Sequence, residues 1–217
     1  AEDAERQLAD LDPPTLNAYR ASLVKRYLAM AASIRGDSTR ALGLADESYA
    51  LASEASDTDG ECRAMLARSE LLLRFGRARE ALGPALQALS GFGSAGSVLM
   101  ANVAERVLGE AECLSGKLDE GVEHLLAARA KLEAASDSLH LARAHRGLAQ
   151  AYSLAGDLAS SEAHLRLACA IFRKRQARYD FALTLLDAGR VAGRLGSFIK
   201  ARRCLAERGS LFLNVGV

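Results

Sequence analysis

The chain has 217 residues, 50% of them hydrophobic and 25% charged, with a formal net charge of +1 at pH 7. That length supports a sizeable core without disulfides, and the charge balance excludes a strongly basic nucleic-acid binder or an acidic tail protein. No apolar run approaches membrane-spanning length, and the first thirty residues lack a charged-then-apolar leader, so neither a span nor a signal peptide is expected. Three prolines and no tryptophan point to helix. Arginine outnumbers lysine 23 to 5, a skew that codon usage alone can produce, so the count by itself carries no function. Cys62, Cys113, Cys169 and Cys204 are far apart with no C-x-x-C. They read as small buried hydrophobes in a reducing, cytoplasmic compartment.

Residues 1–16 (AEDAERQLADLDPPTL) end in Pro13-Pro14, which blocks a through-running helix, and Thr15 is placed to cap the first helix beyond it. From there a repeat governs the chain. Gly36, Gly76, Gly116, Gly156 and Gly196 fall at a period of 40 held without slippage. Five residues after each glycine stands Ala41, Ala81, Gly121, Ser161 or Ala201; seven before it stands Ala29, Ser69, Gly109, Ala149 or Gly189, all small. Twelve after it come Ser48, Ala88, Ala128 and Ala168, until Arg208 departs from the rule. Apolar residues at three- and four-residue spacing flank each glycine, as at Leu141, Ala144, Leu148, Ala151 and Tyr152 before Gly156. Glycine tolerates φ > 0, so it ends one helix and lets the chain reverse; Asp37, Asp157 and Ser197 then offer caps to the next. The small residues let the two helices approach closely. Each unit is predicted to be an antiparallel helix pair that must stack on its neighbours to bury its apolar faces.

With these marks the chain resembles the tetratricopeptide repeat (TPR) family. The shared features are the small residue in the first helix, the turn glycine, small residues five and twelve later, and Phe92, Leu132, Phe172 and Phe212 sixteen after the glycine. The period of 40 exceeds the usual 34 by six, similar to the expanded repeats of kinesin light chain and of bacterial maltose-activator-type sensor regions. HEAT repeats share this range, but their proline and aspartate marks are absent. The implied fold is an all-α, right-handed superhelical solenoid of five antiparallel pairs over residues 17–216. Residues 1–16, which align with a second helix when shifted by 40, are a partial preceding repeat or a capping helix. The apolar end Leu211, Phe212, Leu213, Val215 and Val217 reads as a cut array or as a dimer contact through the last helix. Ser90–Ser97 (SGFGSAGS) reads as a loose link and a bend.

In the family the first helices line a concave groove that binds other polypeptides. Carried onto this sequence, the groove positions hold Arg26, Arg63, Arg74, Arg106, Arg143, Arg146, Gln150, Arg190 and Arg194, with acids only at Glu70 and Glu110. Forked guanidinium groups suit carboxylates. One reading has an acidic peptide gripped by Arg106, Arg143, Arg146, Arg190 and Arg194, with Gln150 beside them. The other has these arginines paired with Glu70, Glu110 and their neighbours or snorkelling. The expected role is a protein-binding scaffold, with the effector-sensing region of a larger bacterial signalling or transcription regulator as the alternative.

Charge is uneven: residues 1–60 hold six basic and eleven acidic side chains, residues 163–217 eleven and three. The run Arg173-Lys174-Arg175 complements a helix C-terminus, and too few aromatics are free to stack bases, so nucleic acid is not the expected partner. Head-to-tail association of copies is the electrostatic alternative. His124 and His164 lie one repeat apart, and His140 and His145 do not share an i, i+4 face, so no metal is expected. No G-x-S-x-G or phosphate loop occurs. The expectation is no catalysis, no cofactor and no membrane.

Overall fold

The computed structural model describes residues 17–213, and side chains to residue 211. Thr15, Pro13-Pro14, the role of residues 1–16, and Phe212, Leu213, Val215 and Val217 as packing residues lie outside the described residues. Among the described residues ten helices follow one another: α1 (Ala18–Ile34), α2 (Ser38–Glu54), α3 (Thr58–Arg74), α4 (Ala78–Ser94), α5 (Val98–Ser115), α6 (Leu118–Ala134), α7 (Ser138–Ala155), α8 (Leu158–Lys174), α9 (Arg178–Arg194) and α10 (Phe198–Leu213). No strand occurs among the described residues. Among the described residues no helix is long and apolar enough to cross a membrane. The helices form two compact units, α1–α5 and α6–α10.

The turns recur every 20 residues. Gly36, Ser56, Gly76, Gly96, Gly116, Ser136, Gly156, Gln176 and Gly196 all have positive φ, between 53° and 103°. In most turns the next residue's N–H reaches back five positions, as from Asp37 to the Ala32 carbonyl (3.1 Å), Arg77 to Leu72 (2.8 Å) and Ala177 to Phe172 (3.0 Å). These bonds satisfy carbonyls that the helix end leaves open. The same residue then starts the next helix. Asp37, Asp57, Asp137 and Asp157 accept from the backbone N–H three residues on, at 3.0–3.1 Å. Asn17 caps α1 in the same way through Arg20 N–H. Ser90–Ser97 is not a loose link: α4 runs through Ser94, and Gly96 makes an ordinary turn at φ 69°. Its glycines face the rule that a helix needs a packed side to persist, and Phe92, 0% exposed, supplies it.

Small residues set the helix spacing. Ala29, Ala41, Ala45 and Ala81 are fully buried, with Leu28, Leu44 and Leu71 packed around the α1–α2 contact. In the second unit Phe172, Phe181, Leu185, Ala142 and Ala168 form the corresponding cluster. Close approach at Gly189 is tight enough that a Cβ there would lie 3.2 Å from the Leu205 side chain. Hydroxyls at these contacts bond across the pair: Ser22 and Ser48 each donate to the other's carbonyl at 2.8 Å, Ser69 donates to Ala81 and Ser161 to Ala149. Each buried hydroxyl thus finds a partner.

The same pairing across α7–α8 brings His145 and His164 together, Nδ1 to Nδ1 at 2.8 Å, with Tyr152 stacked on His164. One ring donates and the other accepts, so both sit neutral. Burial, then the His164 ring and the Arg129 guanidinium, hold His145 down to about 4, and burial with Arg129 also lowers His164. The unfolded chain therefore binds protons below about pH 6.5 that the folded one refuses, and stability falls as pH drops through that window. Urea unfolding should show about 1 kcal/mol less stability at pH 5.5 than at pH 7.5. The double variant His145→Leu/His164→Leu should lose most of that slope; an unchanged slope would refute the buried neutral pair.

Candidate functional site

The arginine-bearing face of each unit is built by its odd-numbered helices. One turn of helix carries a side chain about 5.4 Å along the axis, so residues ten and six before a turn glycine are neighbours on one surface.

In the first unit this face centres on Arg106 of α5, which is 2% exposed. Its Nη1 donates to Glu110 at 2.6 Å and its Nη2 to Glu70 of α3 at 2.7 Å. Its Nε has no hydrogen-bond partner. Burial opposes the charge, but Glu110 and Glu70 more than offset it and raise the pKa above the usual arginine value. Arg106 is therefore a buried tie between α3 and α5 instead of an open ligand group. Nearby, Arg63 donates to Asp59 at 2.5 Å, and Arg74 to Ser33 Oγ at 3.1 Å.

In the second unit Arg143 of α7 forks onto Asp180 of α9, at 2.9 and 3.1 Å. Arg146 donates to Asp187 at 2.8 Å, and Gln150 donates to the same oxygen at 3.0 Å. Arg190 stands 3.8 Å from Asp187 with its side chain 68% exposed. Arg194 donates to the backbone and side-chain oxygens of Ser153, at 2.8 and 2.7 Å. Reading the sequence for groove positions found these arginines and missed Asp180 and Asp187. Both acids lie within one helical turn of groove positions on α9, and widening the stripe by a turn would have included them. The sequence reading also missed the histidine contact, in which the register brings His145 against His164 across the turn. No group of three or more metal-ligating side chains occurs among the described residues.

The buried triad gives a direct test. Arg106→Met leaves Glu70 and Glu110 facing each other without their cation, and should cost about 2–4 kcal/mol in urea unfolding at pH 7.5. Adding Glu70→Gln and Glu110→Gln to that variant should recover part of the loss. A neutral Arg106→Met would contradict the assignment.

A sequence model described as tetratricopeptide repeat matches residues 99–174. No curated protein matches the chain. Among solved structures, a Rap protein complexed with competence and sporulation factor superposes with TM-score 0.78 at 12% identity, over 94% of this chain and 58% of that one. TPR-like repeats ascribed to a kinesin light chain of Podosopora anserina give TM-score 0.60 at 17% identity, over 93% and 99%. A signal transduction ATPase with a tetratricopeptide repeat sensor, from Pyrococcus horikoshii, gives 0.64 at 16%, over 97% and 36%. The chain spans less than three fifths of the Rap protein's length. Residues 99–174 thus resemble tetratricopeptide repeats in sequence, and the fold of the described helices is of tetratricopeptide repeat type.

Proposed function

We propose that this chain is a non-catalytic binding module of the cytoplasm whose α7–α9 face takes an acidic segment of a partner protein. The supporting observation is a local excess of positive charge. Arg143, Arg146 and Arg190 form ion pairs with Asp180 and Asp187, and Arg194 lies beside them on α9. Asp187 already accepts from Arg146 and Gln150, and Arg194 donates to Ser153 oxygens, with no ion pair to it among the described residues. Arg190 and Arg194 stand one turn apart and can close on a single incoming carboxylate. Arg143 and Arg146, held by their aspartates, position the surface; they do not supply the free charge. The likeness to a Rap protein solved with competence and sporulation factor, and to a conjugation regulator solved with the Phr* peptide, supports a peptide as the ligand.

A second reading, effector sensing within a larger regulator, draws support from one feature of the second unit. A cleft of about 780 Å³ is lined by Arg173, Leu185, Phe198, Arg203, Cys204 and Glu207, a mixed apolar and charged wall of small-ligand size. The likeness to a signal transduction ATPase with a repeat sensor points the same way.

Panning random 12-residue peptides on the protein separates these outcomes. Enriched peptides should be rich in Asp and Glu and should weaken as salt rises from about 50 to 300 mM. Arg190→Ala/Arg194→Ala should lower their affinity at least about tenfold while leaving stability within about 0.5 kcal/mol. Peptides without acidic bias, or binding indifferent to the double variant, would overturn the reading.

A further inference from the structure

Arg63 of α3 and Arg143 of α7 hold the same place in their repeats, thirteen residues before a turn glycine. Each reaches 37 residues ahead, to the third residue of the next odd-numbered helix. There the two units differ. Arg143 finds Asp180 and forks onto its carboxylate. Arg63 finds Met100, whose Sδ accepts from Nη1 at 3.7 Å. A thioether thus stands where the second unit has a carboxylate, and a thioether is a weak acceptor.

The guanidinium is held in place for this contact. Its Nε donates to Asp59, and its Cζ lies 6.0 Å from the centre of the fully buried Phe92 ring. Met100 is half-buried in the first turn of α5, beside Val98 and Leu99, which are 71% and 42% exposed. A small oxidant can therefore reach the side chain from solvent, and a cation is already aimed at its sulfur.

We propose that Met100 is a reversible oxidation site, whose sulfoxide ties α5 to α3 through Arg63 as Asp180 ties α9 to α7 through Arg143. The oxidant is hydrogen peroxide. A sulfur lone pair attacks one peroxide oxygen, and the S–O bond forms as the O–O bond breaks. The proton on the transferred oxygen passes to the departing hydroxide, which leaves as water. Sulfur is oxidised and the peroxide reduced, each by one electron pair. The new oxygen carries partial negative charge and accepts from the guanidinium. It also lies in the first turn of α5, where the helix dipole favours negative charge. The unbranched methionine side chain can draw back to make room for the added atom. Oxidation of a packed methionine ordinarily weakens a structure, because it sets a polar group among apolar ones. At Met100 the sign reverses, since the polar group meets a donor.

The test uses the whole chain carrying Met30→Leu/Met65→Leu, which leaves Met100 as its single methionine. Burial raises the pKa of all four thiols and slows their reaction. Dithiothreitol after the peroxide reverses any sulfenic acid or disulfide and leaves the sulfoxide. Mass mapping should place one oxygen on Met100, and methionine sulfoxide reductases A and B together should remove it. The urea midpoint should rise by about 0.3 M or more on oxidation and return on reduction. Arg63→Gln should cancel that rise. Met100→Asp installs the acceptor of the second unit without oxidation and should unfold at a higher urea concentration than Met100→Leu, a comparison that stands even if the Arg63 variant fails to fold. An unoxidised Met100, a midpoint that falls on oxidation, a rise that persists without Arg63, or a Met100→Asp variant no more stable than Met100→Leu would each overturn the proposal.

Discussion

A left-handed residue every 20 positions is the constraint on which the rest of this structure depends. A helix of about 17 residues is roughly 25 Å long, and the chain then needs a compact reversal that leaves few backbone groups open. One residue at positive φ, followed in most turns by an N–H that reaches back to the helix and in four of them by an aspartate that caps the next, accomplishes this in two or three residues. Six of the nine are glycines, which adopt this conformation freely. Ser56, Ser136 and Gln176 adopt it against a cost of about 1 kcal/mol or more each. Burial of Leu132 and Phe172, four residues before the left-handed residue, anchors the last turns of α6 and α8 against that cost.

Constant helix length fixes which side chains meet. Residues at one offset from the turn return to the same face of each odd-numbered helix, so an arginine meets whatever the neighbouring repeat places opposite. Where that is Glu70, Glu110, Asp180 or Asp187, the guanidinium becomes a structural tie. Where it is serine, as at Arg194, the guanidinium meets backbone and hydroxyl oxygens, and no ion pair to it occurs among the described residues. Which guanidinium groups of this surface are committed to ion pairs is thus decided less by the arginines than by their opposites. An exposed ion pair contributes little to stability, but it determines whether a cation is available to a ligand.

The period of 40, the turn glycines and the small residues at helix contacts were legible because each serves the backbone, and backbone requirements repeat. The period of 20 was hidden because serine and glutamine occupy three of the alternate turns, and residue type alone does not disclose φ. Ser90–Ser97 was misread for the converse reason: glycine and serine signal a loop locally, while burial of Phe92 holds the helix through Ser94. The arginine positions followed from register, but their availability did not. Asp180 and Asp187 stand on the next helix, slightly off the expected stripe, and only packing reveals that they reach Arg143 and Arg146. The contact of His145 with His164 also depends on pairing across a turn. Ser22–Ser48 and Ser161–Ala149 follow nearly the same cross-turn register, and applying that register to the sequence would have located the histidines.

The most direct test of the turn constraint replaces the three left-handed residues that are not glycine. In the triple variant Ser56→Gly/Ser136→Gly/Gln176→Gly, each side chain removed is exposed and each glycine enters a conformation it prefers. Urea unfolding monitored by circular dichroism should show higher stability, by about 0.5–1 kcal/mol per site, with helix content unchanged. Lower stability, or lost helix content, would mean that these positions are not left-handed turns and that the chain does not repeat every 20 residues.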